Sequence, residues 1–163
     1  MGDEQPIDVM FFCLGNICRS PLAEALFCHK VEQQHLEEAF RVESSGTSSF
    51  HVGEAPDPGS QRVARERLGR DISHQRSQQL SADHVASFDY LLAMDRSNFR
   101  RASQMAADDD HIYLLRDFDP EAGSDKDVPD PYGGGQSQFD LVFDIVDRSC
   151  DEFLAHLRKR HAL

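Results

Sequence analysis

The sequence contains no apolar run approaching the ~20 residues that a membrane-spanning helix needs. It is short of cations, with 17 Lys and Arg against 29 Asp and Glu and a net charge of −12. That balance argues against nucleic acid and anionic membranes as partners, since both call for basic patches. Cysteine is sparse: Cys13, Cys18, Cys28 and Cys150 are the four in the chain. Their spacing fits neither a zinc ribbon nor a thioredoxin-like C-x-x-C, and they read as reduced, cytosolic thiols. Neither G-x-G-x-x-G nor G-x-x-x-x-G-K-[ST] occurs, which excludes the common dinucleotide and P-loop nucleotide signatures. There is no internal repeat and no linker. The stretch Met1-Gly2-Asp3-Glu4-Gln5 is acidic and does not read as a secretory signal, and Pro6 stands where a myristoylation site wants Ser or Thr.

What is present is a strand-and-helix alternation in 163 residues, a length that predicts one domain over 1–163 with ~70% of its unfolded surface hidden. Residues 6–12 are apolar nearly throughout, as a parallel strand buried on both faces should be, with Asp8 as the interruption. Ser20 as N-cap and Pro21 as first helical residue predict a helix to about Leu36, with Leu22, Ala25, Leu26, His29 and Leu36 along one face and Glu24 in the first turn. Residues 40–45 alternate apolar and polar and predict an edge strand. Pro56-Asp57-Pro58-Gly59 opens a second helix that Gly69 ends. A short helix around 81–85 leads to a strand over 88–94, a helix over 95–106 and a fourth strand over 111–115. Residues 116–135 are rich in Asp, Pro and Gly and lack periodicity, as functional loops of that length do. Phe139, Val142, Phe143, Val146, Cys150, Phe153, Leu154 and Leu157 keep helical spacing in the last helix. The pattern is α/β: a doubly wound, four-stranded parallel sheet with helices on both faces, flavodoxin-like. In such sheets ligands bind beyond the carboxyl ends of the strands. Cys13 lies at such an end, and Ser44–His51, Asp95 and 116–135 can face the same crevice.

The chemistry concentrates in Cys13-Leu14-Gly15-Asn16-Ile17-Cys18-Arg19-Ser20-Pro21, between the first strand and the first helix. A helix mouth leaves its first N–H groups unpaired and suits a small anion. A thiolate is the nucleophilic form of cysteine, and helix N-termini and cations favour it. Arg19 can grip two phosphoryl oxygens at once, and the N–H groups of residues 14–19 can take the others. Gly15 is expected to give the loop its conformational freedom. A leaving group also needs an acid, and Asp130 in Asp130-Pro131-Tyr132-Gly133-Gly134-Gly135 is the candidate.

These two motifs together resemble the low-molecular-weight protein tyrosine phosphatases. The likeness also takes in Glu43-Ser44-Ser45-Gly46-Thr47, Ile72-Ser73-His74 and Phe88-Asp89-Tyr90-Leu91-Leu92-Ala93-Met94-Asp95, nearly the whole chain. The resemblance implies metal- and cofactor-independent hydrolysis of phosphotyrosine in proteins and of small aryl phosphates through a phosphocysteine. Cys13 would be the nucleophile, Arg19 the phosphate clamp and Asp130 the general acid and then base. Asn16, Ser20, Ser44 and His74 would brace the loop, and Ser20 would donate to the Cys13 thiolate. Leu14, Gly15, Ile17 and Cys18 would complete the pocket, with Phe50 and Tyr132 as aromatic walls. Gly133 departs from members that carry a second aromatic there. Cys18 would pair with Cys13 reversibly under oxidation, since a nearby thiol traps an oxidised cysteine before irreversible damage. Cys28 and Cys150 read as core. The resemblance implies phosphotyrosine proteins as partners, a cognate tyrosine kinase nearby, a cytoplasmic location and a monomer or weak dimer.

Three other readings compete. Arsenate reductases coupled to thioredoxin are similar in loop and fold but use two further cysteines in the third quarter, and residues 60–110 contain none. Protein arginine phosphatases carry Thr at the position of Ile17, whose side chain suits a phenyl ring instead. A phosphate-binding adaptor would need neither the thiol nor the acid.

Overall fold

The computed structural model describes residues 5–163. The readings that Met1–Gln5 is not a secretory signal and that Gly2 is not lipidated rest on residues 1–4, which lie outside the described residues.

The apolar N-terminal run forms β1 (Ile7–Cys13), flanked in parallel by β2 (Phe40–Gly46) and β3 (Tyr90–Ala93). Strand β4 (Ile112–Leu114) pairs with β3 and completes the order β2-β1-β3-β4, all parallel, with β2 at an edge. Side chains along a strand alternate faces, so β1 feeds two cores. Val9, Phe11 and Cys13 pack with Leu22, Leu26, Val63, Val146 and Phe153. Met10 and Phe12 pack on the other face with Val85, Leu91 and Ala102. The first cluster is covered by α1 (Arg19–Gln33), α2 (Pro58–Leu68) and α5 (Gln136–His161), the second by α3 (Ala82–Ser87) and α4 (Arg96–Ser103). Each large apolar side chain so buried contributes about 1.5–3 kcal/mol. Helices thus cover both faces, as the alternation of elements predicts.

Local signals place most boundaries. Asp57 caps α2 by accepting from Gly59 N at 2.8 Å, and Gly69 ends it in the left-handed conformation at φ 64°. Ser81 caps α3 and Asp95 caps α4. Helix α1 departs from expectation. It starts two residues earlier, at Arg19, so Cys18 is its N-cap, Ser20 is not, and Pro21 is not the first helical residue. The Ser20 hydroxyl is engaged elsewhere, as shown below. The helix stops at Gln33 rather than Leu36, where His35 turns left-handed at φ 58° and a 3-10 turn follows over Glu37–Ala39. Glu24 consequently lies beyond the first turn. His29 is only half-buried on the face assigned to it. Strands β3 and β4 are shorter than expected because Phe88, Asp89 and Leu115 lead into or out of them without ladder partners; Leu115–Phe118 is a 3-10 turn. Cys150 is fully buried, whereas Cys28 is half-buried.

Candidate active site

Cys13 is the last residue of β1 and is 2% exposed. Residues 14–18 then wrap into a loop that ends at the N-terminus of α1. The sulfur is the focus of that loop. Asn16 N donates to Cys13 Sγ at 3.3 Å, and Ser20 Oγ lies 3.1 Å from the same atom. Ser20 Oγ is also 3.3 Å from Ser45 O, so its one proton serves either the Cys13 sulfur or the β2 carbonyl. The N–H groups of Gly15, Ile17 and Cys18 donate to no acceptor among the described residues. They form a ready set of donors at a helix mouth.

The loop is held by its own asparagine. Asn16 adopts φ 57°, left-handed for a residue other than glycine. Gly15 has no such φ, so the conformational freedom assigned to it belongs to Asn16. Gly15 instead leaves room for His51, whose Cδ2 would lie 2.9 Å from a Cβ there. The Asn16 side chain offsets its backbone cost with three hydrogen bonds. Its Nδ2 donates to Ser20 Oγ at 2.7 Å and to Ser44 Oγ at 3.0 Å, and its Oδ1 accepts from Gln78 N at 3.0 Å. Further ties come from outside the loop: Ser77 Oγ donates to Gly15 O, Asp57 N to Ile17 O and Ser60 Oγ to Cys18 O, all within 3.0 Å.

Ser44 is therefore tied to the loop, and His74 is not. His74 is exposed and makes no hydrogen bond among the described residues. Ser77 and Gln78, from the same connector, take the bracing role in this structure. No sequence signal marks these two, because polar residues in a connector all look alike. Gly46 is another unforeseen position: a Cβ on it would lie 2.7 Å from Leu14 O and 3.0 Å from Asn16 N. Only glycine lets β2 pass this close to the loop.

Arg19 is 2% exposed, and its fork is divided. Nη1 donates to Asp95 Oδ2 at 2.8 Å and to Val128 O at 3.0 Å. Nε is buried with no partner among the described residues, and Nη2 lies 3.7 Å from Asp130 Oδ2. One edge of the guanidinium is thus anchored while the other is left to an anion. Burial works against the charge, but the Cys13 sulfur, Asp95 and Asp130 outweigh it and hold the Arg19 pKa above its ordinary value. Asp95 closes the apolar β3 segment and caps α4; its role as the partner of Arg19 was not legible beforehand.

Asp130 arrives from the long loop. That loop is fastened by Val128 N donating to Met94 O at 2.8 Å and by Arg19 gripping Val128 O. Behind it, Asp119 is buried and accepts from Arg116 Nε at 2.9 Å and Arg148 Nε at 2.7 Å. Asp130 accepts from Tyr132 N at 3.1 Å, and Gly133 makes the ensuing turn at φ 76°.

The rim is open. Phe50 and Tyr132 are 87% and 61% exposed, and Leu14 is half exposed. Ile17 is buried and packs with Cys18 and Phe139. His51, absent from the expected rim, stands 5.8 Å ring to ring from Tyr132 and pairs with Glu54 at 3.0 Å. Burial, then the charges of Asp57, Cys13 and Asp130, push the Cys18 thiol well above its usual range. Among the described residues no group of three or more His, Cys, Asp or Glu side chains is placed to hold a metal, and no helix is long and apolar enough to cross a membrane.

The family model described as low molecular weight phosphotyrosine protein phosphatase matches residues 8–163. The low molecular weight phosphotyrosine protein phosphatase of Homo sapiens is 38% identical over 158 residues, 94% of this chain and 98% of that protein. The crystal structure of YfkJ from Bacillus subtilis matches with a TM-score of 0.89 at 35% identity, over 98% of this chain and 99% of that one. The drosophila arginine phosphatase DARP matches with a TM-score of 0.84 at 31% identity, over 92% of this chain and 97% of that one.

Proposed function

Since the chain belongs to the low molecular weight phosphotyrosine protein phosphatases, a family of hydrolases, we propose that it hydrolyses protein phosphotyrosine with Cys13 as nucleophile, Arg19 as clamp and Asp130 as acid and base. The observation that carries this is the divided Arg19 fork beside the Cys13 sulfur, with Nη1 anchored and Nε buried and unpartnered.

In the first step Cys13 Sγ attacks phosphorus in line with the tyrosyl oxygen. Asp130 gives that oxygen a proton as the P–O bond breaks. The free loop N–H groups and the open edge of Arg19 face the charge that spreads over the three remaining oxygens. In the second step Asp130 takes a proton from water, the water oxygen attacks phosphorus and the thiolate leaves. Ser20 Oγ, 3.1 Å from the sulfur, can donate to that thiolate. No step calls on a cofactor. Leu14, Phe50 and Tyr132 flank the entering phenyl ring, with Ile17 behind the loop. The same reading takes the described fold as one catalytic domain. It puts the protein in the cytoplasm, downstream of a tyrosine kinase, as a monomer or weak dimer.

The test is turnover of p-nitrophenyl phosphate and of a phosphotyrosine peptide in the presence of a chelator. Wild type should cleave both, and Cys13→Ser should cleave neither. Loss of wild-type activity on chelation, or an active Cys13→Ser, overturns the mechanism. The likeness to an arginine phosphatase adds a phosphoarginine peptide as a third substrate. The exposed apolar faces of Leu14 and Phe50 and the ring of Tyr132 favour the aryl ester over it.

A further inference from the structure

Beside the loop lies a second cavity of about 400 Å³, lined by Leu14, Ser48, Phe50, Gln79, Ser97 and Arg101 among others. Its position relative to Cys13 is set by backbone. Thr47 N donates to Cys13 O and Ser48 N to Leu14 O, each at 2.9 Å, so the segment that floors the cavity is clipped to the nucleophile's own loop. Leu14 and Phe50 belong to both spaces: they flank the proposed phenyl entrance and wall this cavity as well. A peptide whose phosphotyrosine fills the first space can therefore lay a neighbouring side chain over the second.

The chemistry of the lining is one-sided. In a chain of net charge −12, this cavity holds no carboxylate, and its one charged residue is Arg101. Arg101 is exposed and makes neither a salt bridge nor a hydrogen bond among the described residues. Its neighbour Arg96, by contrast, is spent on Ser124 O at 2.8 Å. The remaining polar groups are hydroxyls and an amide. Ser48 Oγ, buried at the floor, has no partner among the described residues. Such a lining offers donors and one positive charge to an anion, with an apolar wall for its stem.

Resting on the phosphotyrosine reading above, we propose that this cavity is a specificity subsite for a glutamate or aspartate side chain adjacent to the phosphotyrosine, with Arg101 as its charge partner and Ser48 and Gln79 as neutral donors. The acidic surface elsewhere sharpens the effect, because a carboxylate is repelled by most of the molecule and finds a cation here.

The experiment compares kcat/KM on phosphotyrosine peptides that carry Glu, Gln or Lys directly before or directly after the phosphotyrosine, with p-nitrophenyl phosphate as the substrate that has no flanking residue. Wild type, Arg101→Ala and Arg101→Glu are measured. Wild type should prefer Glu over Gln by about two- to five-fold, the usual worth of an exposed ion pair, and added salt should erode the preference. Arg101→Ala should abolish it, Arg101→Glu should shift it to Lys, and all three proteins should turn over p-nitrophenyl phosphate alike. A wild type indifferent to the flanking residue, a preference that survives Arg101→Ala, or an equal loss on every substrate overturns the subsite. Failure of wild type on p-nitrophenyl phosphate itself overturns the phosphatase reading, and the subsite with it.

Discussion

Arg19 Nη1 and Asp95 Oδ2 are joined across 2.8 Å, a contact that ties the proposed phosphate clamp to the carboxyl end of β3. The same nitrogen holds Val128 O, two residues before Asp130, so one buried cation joins the carboxyl end of β3 to the loop that carries Asp130.

Replacing Asp95 should therefore damage catalysis more than folding. Asp95 also caps α4 by accepting from Asn98 N at 2.8 Å. Asp95→Asn retains a good cap and loses the charge, whereas Asp95→Ala loses both, at a cost of about 0.5–2 kcal/mol for the cap alone. We expect kcat/KM to fall about 10²-fold in both, the scale of a misplaced catalytic group. Thermal stability should drop only in Asp95→Ala. Full activity in Asp95→Asn would show that the charge of Asp95 is dispensable.

Asp130→Ala should slow turnover by about 10² to 10⁴. The loss should be smaller for p-nitrophenyl phosphate than for phenyl phosphate, because an activated phenolate leaves without a proton. Equal losses on the two substrates would place the acid elsewhere.

Asn16 offers a test of backbone against side chain. Its left-handed φ favours glycine, while its amide ties Ser20, Ser44 and Gln78 together. Asn16→Gly relieves the backbone and removes the ties; Asn16→Ala removes the ties and leaves strain of about 1–3 kcal/mol. Asn16→Gly should melt higher than Asn16→Ala, yet both should lose activity to a similar degree. An Asn16→Gly enzyme with wild-type kcat would show the ties to be unnecessary.

Mild peroxide should inactivate the enzyme through a Cys13–Cys18 link. Peroxide first converts the Cys13 thiolate to a sulfenic acid, and Cys18 sulfur then displaces the hydroxyl as water. Burial pushes the Cys18 thiol up, so that second step should quicken with rising pH. Mass mapping after peroxide at two pH values checks this. Absence of the linked peptide at both would refute the pairing.

The buried carboxylate of Asp119, anchored by Arg116 and Arg148, makes a pH prediction. Burial works against the charge of Asp119, but Arg148, the Glu121 N–H and Arg116 outweigh it and hold the Asp119 pKa below its ordinary value. A depressed folded-state pKa contributes stability above the unfolded value, about 3.9, and that contribution is lost as pH falls below it. Asp119→Asn should be markedly less stable than wild type at pH 7 by urea unfolding, and the gap should narrow by pH 3. A gap that is constant with pH would rule out an ionised Asp119 as the anchor.

Much of the fold could be read in advance, because its signals are local. A doubly apolar β1 has to be central, an alternating β2 has to be at an edge, and Asp57 and Gly69 punctuate α2 by side-chain and backbone chemistry of their own. Ser20 misled because its hydroxyl looks like a cap when only neighbours in sequence are considered. In three dimensions a thiol and a β2 carbonyl compete for it. His74 misled in a related way: a motif position was matched, but the bonds to the loop come from Ser77 and Gln78, whose roles depend on how the connector passes over Asn16.

The amino-acid sequence alone determined that a cysteine ends a buried strand, that an arginine opens the following helix six residues later, and that an Asp-Pro loop must lie far away along the chain. Spacing and helix-end chemistry suffice for that. Only the tertiary structure decided which edge of Arg19 is anchored and which is free, that Asp95 and Val128 anchor it, and that an uncharged cavity save for Arg101 sits against the same loop. Those are contacts between residues up to 109 positions apart, set by packing at the carboxyl ends of neighbouring strands, and no local pattern encodes them.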